Sequence, residues 1–247
     1  MRTLRSLWLW GAGGLWFALF LIRLNRKLLR FTPQFLDPWL KRELARLFRF
    51  MGCQIIVRGH TNLSPGQTYL FMANHVSLFD VPLLKLVVPG HAFGIQAEHQ
   101  FHWPLFGTAI KRLGSLPLKQ DDPSAALGTY RRALKFLRRG QSLILLPEGH
   151  RTLDGKLGPF MRLPFWLAHK AGVPIVPIVM EGLFTLKPKT SWHITPTRLR
   201  LTFEKPLPAE VVRRKSPEYL RARVRQIIQH RLKTAPPGNL NKVAQPD

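Results

Sequence analysis

A chain of 247 residues with 45% hydrophobic content is long enough for one substantial α/β domain with a small appendage, and too apolar for a disordered chain. Its 38 Lys and Arg against 13 Asp and Glu leave a net charge of +25. That field gathers polyanions: nucleic acid, an anionic bilayer surface, phosphate-bearing substrates or an acidic carrier protein. One cysteine, Cys53, excludes an intrachain disulfide and a cysteine-based zinc site. It precedes a strand-like run and reads as a buried structural residue.

Along the chain, Leu7 to Ile22 is an uncharged run rich in Trp, Leu and Phe, with Arg2 and Arg5 before it and Arg23, Arg26, Lys27 and Arg30 after. As a helix it reaches about 24 Å, short of a hydrocarbon core of about 30 Å. A tilted span, an uncleaved signal anchor and a helix lying in one leaflet all remain open. Cationic flanks and tryptophans are interfacial features, which favours membrane attachment over a soluble core helix. Phe35 to Met51 has apolar residues at helical spacing and a basic opposite face, so residues 1–51 read as a helical pair broken at Thr32-Pro33 and set against anionic lipid.

From Cys53 the pattern changes to short β-type runs alternating with helical stretches. The strand candidates are Gln54–Val57, Thr68–Met72, His91–Gln96, Ser142–Leu146, Ile175–Met180 and Arg198–Phe203, with Leu116–Leu118 carrying the least signal. Helical patterns fall near Val81–Val88, Pro104–Leu113, Ser124–Arg139 and Phe160–Lys170, and a last one runs from Pro217 to Lys233 behind a Ser216 N-cap. This alternation predicts an α/β domain over 52–234 built on a mixed, mostly parallel sheet flanked by helices. Residues 235–247 read as a disordered tail.

Two stretches carry chemistry. His75 and Asp80 are five residues apart and would point about 140° apart on one helix, so they meet only if His75 sits on the loop after Thr68–Met72 and Asp80 opens the next helix. Ser77 is the expected N-cap of that helix, with Asp80 at a capping-box spacing and Pro82 in the first turn. Asp80 would then fix the imidazole tautomer and leave the other ring nitrogen to accept a proton. In the second stretch, Ser142–Leu146 stops at Pro147 and turns sharply at Glu148-Gly149. Gly149 permits close backbone approach to a ligand, and Arg151 offers a planar fork suited to phosphate.

Asn74-His75-x-Ser77-x-x-Asp80, followed by Pro147-Glu148-Gly149-x-Arg151, resembles the glycerolipid acyltransferase superfamily of the 1-acylglycerol-3-phosphate (lysophosphatidate) acyltransferase type. The resemblance runs from about Gln54 to Phe203. Phe71–Asp80 is similar to the family's first block, Gly114–Gln120 to its second, Leu146–Thr152 to its third and Val173–Ile178 to its fourth; Glu98 and Pro104–Gly107 match the approach to the second. It implies a glycerolphosphate-acyltransferase-like fold and a membrane-associated enzyme of phospholipid biosynthesis. Such an enzyme moves a fatty acyl group from acyl-CoA or an acidic acyl carrier protein to the free hydroxyl of lysophosphatidate, without an acyl-enzyme. By resemblance His75 would be the base and Asp80 its orienting partner. Asn74, Ser77, Lys119, Glu148, Gly149, Arg151 and Arg162 would serve the substrate. No cofactor or metal is implied, and in a bacterium the location would be the cytoplasmic face of the inner membrane.

Three positions depart from the pattern. Gln120 stands where the second block usually ends in a phosphate-contacting arginine, leaving Lys119 as the adjacent point charge. His150 replaces the usual Thr, and Leu163 follows Phe160-Met161-Arg162 where a small residue is common. Gln120 keeps open another lysolipid acceptor, such as a lyso-ornithine lipid. A non-catalytic membrane lipid-binding scaffold is the alternative outside enzymology. His99 and His102 have a spacing that could ligate metal, but no third ligand accompanies them. The Arg clusters lack the marks of a nucleic-acid module and read as solvated faces near anionic lipid.

Overall fold

The computed structural model describes residues 2–234; the tail 235–247 lies outside the described residues. The N-terminal pair is α1 (Arg2–Lys27) and α2 (Pro33–Phe50). The chain then follows β1 (Gln54–Arg58), β2 (Leu70–Ala73), α3 (Asp80–Val87), β3 (Phe93–Ala97), α4 (Phe106–Arg112), β4 (Leu116–Leu118) and α5 (Pro123–Arg138). The second half contains β5 (Leu143–Leu145), α6 (Leu163–Ala171), β6 (Ile175–Glu181), α7 (Leu183–Leu186), β7 (Arg198–Phe203), α8 (Ala209–Arg214) and α9 (Pro217–Thr234). Two helices escape the periodicity reading: α7 is a single turn and α8 is barely longer, too short for a 3.6-residue stripe to declare itself. Ser216 caps α9 as expected, its Oγ accepting from Tyr219 N at 3.2 Å.

Among the described residues the sheet has seven strands in the order β1-β7-β6-β2-β5-β3-β4. The sheet is parallel from β6 to β4, and β1 is parallel to β7; the β6–β7 pair alone is antiparallel. The α/β expectation of a mixed, mostly parallel sheet therefore holds. The central strand β2 is buried along its whole length, and its residues alternate between two cores. Phe71 and Ala73 face the side of α2 and α3. Leu70 and Met72 face the side of α5, α6 and α9. Burial on both faces is why these strands are continuously apolar rather than alternating. Cys53 is buried at the edge of the first core, where burial pushes its thiol up to about 11, so it stays a protonated, inert packing residue at neutral pH.

Helix α1 outruns the apolar run on both sides and is packed along the domain. Leu9 joins Phe48 and Met51 in the first core, while Phe20, Leu21 and Leu24 pack with Leu40 and Leu44 of α2 and with Ala109 and Leu113 near α4. Polar contacts fasten both ends: Arg2 Nη2 donates to Thr195 Oγ1 at 3.1 Å, Trp10 Nε1 to Trp192 O at 2.7 Å and Asn25 Nδ2 to Leu105 O at 2.9 Å. The break before α2 is local, with Thr32 Oγ1 accepting from Phe35 N at 3.3 Å and Pro33 opening the helix.

Where α2 meets α3, Asp37 and Lys41 form an ion pair at 2.7 Å, and Lys85 Nζ donates to Ala92 O. Burial lowers the Lys85 ammonium to about 8, with Lys41 adding to the effect and Asp37 opposing it. Below about pH 8 both folded and unfolded chains carry this proton. Between about 8 and the ordinary lysine value the unfolded chain binds more protons, so stability rises with pH by about 3 kcal/mol at most. The urea midpoint of the protein in detergent should therefore climb from pH 8 to 10 relative to that of Lys85→Met. An identical pH slope in the two proteins would remove Lys85 as the source.

Candidate active site

Strand β2 ends at Ala73, and the loop it releases curls back over its own end. Asp80, at the first turn of α3, is fully buried, and its Oδ2 receives three donors: His75 Nδ1 at 2.7 Å, Val76 N at 2.6 Å and Ser77 N at 2.9 Å. The loop-then-helix layout inferred from the spacing is the one observed, with His75 outside any helix. Burial raises the Asp80 carboxyl from its usual range, and the His75 bond and the two backbone N–H groups oppose that shift. A carboxylate so placed fixes the tautomer that carries hydrogen on Nδ1 and leaves Nε2 toward the opening, where the His75 side chain is 19% exposed.

The expected Ser77 cap is not what forms. Residue Phe79 precedes α3 without a side-chain cap, and Ser77 donates its hydroxyl to Lys187 O at 2.8 Å. Asp80 does the capping itself, backwards onto Val76 and Ser77. Asn74 also turns inward: its Nδ2 donates to Met180 O at 3.0 Å and its Oδ1 accepts from Met180 N at 2.8 Å, prolonging the β2–β6 ladder with a side chain. Asn74 and Ser77, expected to serve the substrate, are both buried, and each bonds a backbone carbonyl more than a hundred residues away.

The turn after β5 clasps this loop. Glu148 Oε1 accepts from His75 N at 2.6 Å and Oε2 from Gly158 N at 2.7 Å, while Thr152 N donates to His75 O at 3.0 Å. Both backbone polar groups of His75 are held by this one segment. Gly149 has φ 75°, and a Cβ there would approach Met161 Cε to 2.8 Å, so the turn admits only glycine without rearrangement. Glu148, like Asn74, is buried and braces backbone, and burial raises its carboxyl from the usual range.

The cations divide into two groups. Arg162 pairs with Glu218 at 3.0 Å near the surface, and Lys119 lies 3.7 Å from Asp122. Neither is drawn to His75. Gln120 donates Nε2 to Gly149 O at 2.8 Å, which ties the second block to the third without bringing a charge. Arg151 is half-buried and has no hydrogen bond or ion pair among the described residues. Its neighbour Lys187, 8% exposed, carries no signal in the sequence, because no motif surrounds it. Only the tertiary bond from Ser77 reveals that it backs the His75 loop.

The family model described as Acyltransferase matches residues 54–181. The chain belongs to that family. The match covers β1 to β6 and thus both halves of the acyltransferase site, from His75 to Glu148. Among curated proteins the acyltransferase is similar to a chloroplastic 1-acyl-sn-glycerol-3-phosphate acyltransferase of Brassica napus, 34% identical over 55% of this chain and 39% of that protein. A chloroplastic counterpart of Arabidopsis thaliana is 32% identical over 62% of this chain and 44% of its own length. The chain thus spans about two fifths of these relatives. The alpha form of Ovis aries is 30% identical over 69% and 60% of the two chains. The crystal structure of the 1-acyl-sn-glycerophosphate acyltransferase of Thermotoga maritima shares the fold, with TM-score 0.80 over 94% of this chain and 95% of that one at 24% identity.

Among the described residues no group of three His, Cys, Asp or Glu side chains gathers to hold a metal; His99 instead lies 5.8 Å from the Trp103 ring. A cavity of about 660 Å³ between β7 and α9 includes neither His75 nor Glu148, and its acids Glu181 and Glu204 are already paired with Arg200 and Arg231. That cavity lies apart from the His75 loop, where the buried Asp80 and Glu148 carboxylates mark the candidate site.

Glu148→Gln tests the clasp. An amide offers one acceptor oxygen and one donor, so either His75 N or Gly158 N loses its partner, at about 1–3 kcal/mol. The thermal midpoint should fall, and acyl transfer should fall with it as His75 drifts. A variant with wild-type midpoint and turnover would show that the clasp is dispensable.

Proposed function

We propose that the protein transfers a fatty acyl group from an acyl thioester, acyl-CoA or an acyl carrier protein, to the free hydroxyl of lysophosphatidate, giving phosphatidate. The observation that carries this reading is the 2.7 Å contact between His75 Nδ1 and a fully buried Asp80 carboxylate at the matching positions of an acyltransferase domain. The activity by which the relatives are named supports the acceptor, which bears its hydroxyl and phosphate on adjacent carbons.

In this reading His75 Nε2 takes the proton of the acceptor hydroxyl as its oxygen attacks the thioester carbonyl carbon. Asp80 stabilises the imidazolium that forms. The tetrahedral intermediate collapses, the carbon–sulfur bond breaks, and the leaving thiolate receives the proton from His75. Thiolate is a good leaving group, so direct attack needs no acyl-enzyme.

The same reading places the reaction at a bilayer. Helix α1 is long and apolar enough to cross one, but its fastening to Thr195, Trp192 and Leu105 is better suited to a helix lying in one leaflet. Leu4, Leu7, Trp8, Leu15 and Leu19 are exposed on it, and Trp192 and Leu105 continue that apolar surface beside its two ends. Basic flanks would meet anionic headgroups.

Purified protein given labelled acyl-CoA, acyl carrier protein and a panel of lysolipids should acylate lysophosphatidate. His75→Ala should slow turnover roughly a hundred- to ten-thousandfold. Turnover that survives His75→Ala would defeat the general-base mechanism, and acylation of a different lysolipid alone would defeat the acceptor assignment. For the membrane, Leu15→Glu with Leu19→Glu should move the protein from floated anionic vesicles to the soluble fraction. Continued flotation would show that the exposed face of α1 is not the contact.

A further inference from the structure

Lys187 is a buried cation that no step of the reaction above uses. It follows α7 at the back of the His75 loop, and its backbone carbonyl accepts the Ser77 hydroxyl at 2.8 Å. Its ammonium has a single protein partner, Pro188 O at 2.9 Å, and no carboxylate lies within ion-pair distance among the described residues. The segment carrying Arg151 runs between the same two elements. Thr152 N bonds His75 O on one side, and on the other Gly155 lies against the Phe184 ring of α7, so close that a Cβ would meet it at 3.1 Å.

Arg151 is close enough to act on Lys187 electrostatically: burial first, and then the Arg151 guanidinium, hold the Lys187 ammonium below its usual value. Two cations near enough to repel each other, one buried and the other half-buried, with no acid paired to either, cost free energy until an anion joins them. Other cations out of the solvent have an acid at hand: Arg200 pairs with Glu181 and Lys41 with Asp37, which also acts electrostatically on the buried Lys85. The unmatched pair is carried by the two segments that bond the His75 loop, at Lys187 O and at Thr152 N.

We infer that Lys187 adds a second, specificity-determining cation to the acceptor-phosphate site that the family resemblance already assigns to Arg151, in a chain where Gln120 brings no charge to the second block. This rests on the proposed acylation of lysophosphatidate. Because the hydroxyl and phosphate of that acceptor sit on neighbouring carbons, a phosphate held at this pair presents the hydroxyl to the His75 loop. Gln120, bonded to Gly149 O, and Arg162, bonded to Glu218, are engaged elsewhere. Arg151 supplies a planar fork and Lys187 a point charge, a combination suited to a dianionic monoester rather than to a zwitterionic headgroup.

Lys187→Met isolates the ammonium, since the Ser77 bond uses the backbone carbonyl. Its KM for lysophosphatidate should rise roughly ten- to hundredfold while its KM for acyl-CoA holds. Lys187→Arg should recover most of the loss. Lys189→Met, an exposed neighbour, controls for removal of one positive charge and should match wild type. Glycerol 3-phosphate should raise the thermal midpoint of wild type and not that of Lys187→Met.

An unchanged KM in Lys187→Met, an equal rise in Lys189→Met, or a loss that Lys187→Arg does not restore would overturn the assignment. If wild type fails to acylate lysophosphatidate, the proposed function falls by itself. The glycerol 3-phosphate shift still decides the anion site: present in wild type and absent in Lys187→Met supports it, and equal in both refutes it.

Discussion

One buried carboxylate organises the site. Asp80 has no solvent contact, so the free energy of taking its charge out of water has to be offset by donors, and the loop preceding it supplies three onto a single oxygen. Two of those donors are backbone N–H groups of Val76 and Ser77, which forces the loop to curl toward α3. The third is the imidazole. The bend that shelters the charge is therefore also what aims His75, and folding and site geometry are the same event. The neighbouring brace works alike: Glu148 is buried between two backbone N–H groups from different loops, and neither loop can shift without leaving one of them unpaired.

How much of this was legible in the sequence depended on how far away each partner lies. His75 and Asp80 are five residues apart, close enough that helix geometry alone demanded a loop followed by a helix. Ser77 looked like a cap for the same reason, since local hydrogen bonding is what short-range spacing reports. Its hydroxyl instead reaches a carbonyl 110 residues on. Asn74 and Glu148, 106 and 73 residues from their partners, resembled ligand-binding groups because nothing local identified what they brace. Strand positions came through within a few residues, as buried strands are apolar on both faces. The antiparallel β6–β7 pairing came through only as "mixed", since pairing direction leaves no mark in either strand.

The basic composition looked uniform along the chain, and the structure sorts it. Most cations are exposed, paired with one of the few acids, or set on helix faces where water solvates them, and such groups contribute little to stability or specificity. Arg162 matches the family's cation in sequence, yet Glu218 engages it at 3.0 Å. Lys187 matches nothing and is among the most buried of all. Charge count thus reports the surface field that gathers polyanions, while burial without a counter-charge reports where one anion is needed.

Gln120 shows how such a difference can persist without disturbing the fold. An arginine there would bring a charge beside Gly149; glutamine brings a donor of similar reach that satisfies the Gly149 carbonyl at 2.8 Å. The tie between second and third blocks is kept while the charge is lost. In the proposed site for a doubly charged headgroup the cation then comes from another element, and α7 is packed against both the His75 loop, through Ser77, and the Arg151 segment, through Phe184 and Gly155. The α7 turn is held to the loop by a backbone carbonyl, so its next side chain is free to be chosen for charge alone. That separation, backbone for position and side chain for recognition, lets the anion site move among elements while the carboxylate at Asp80 and the imidazole it orients stay where the sheet puts them.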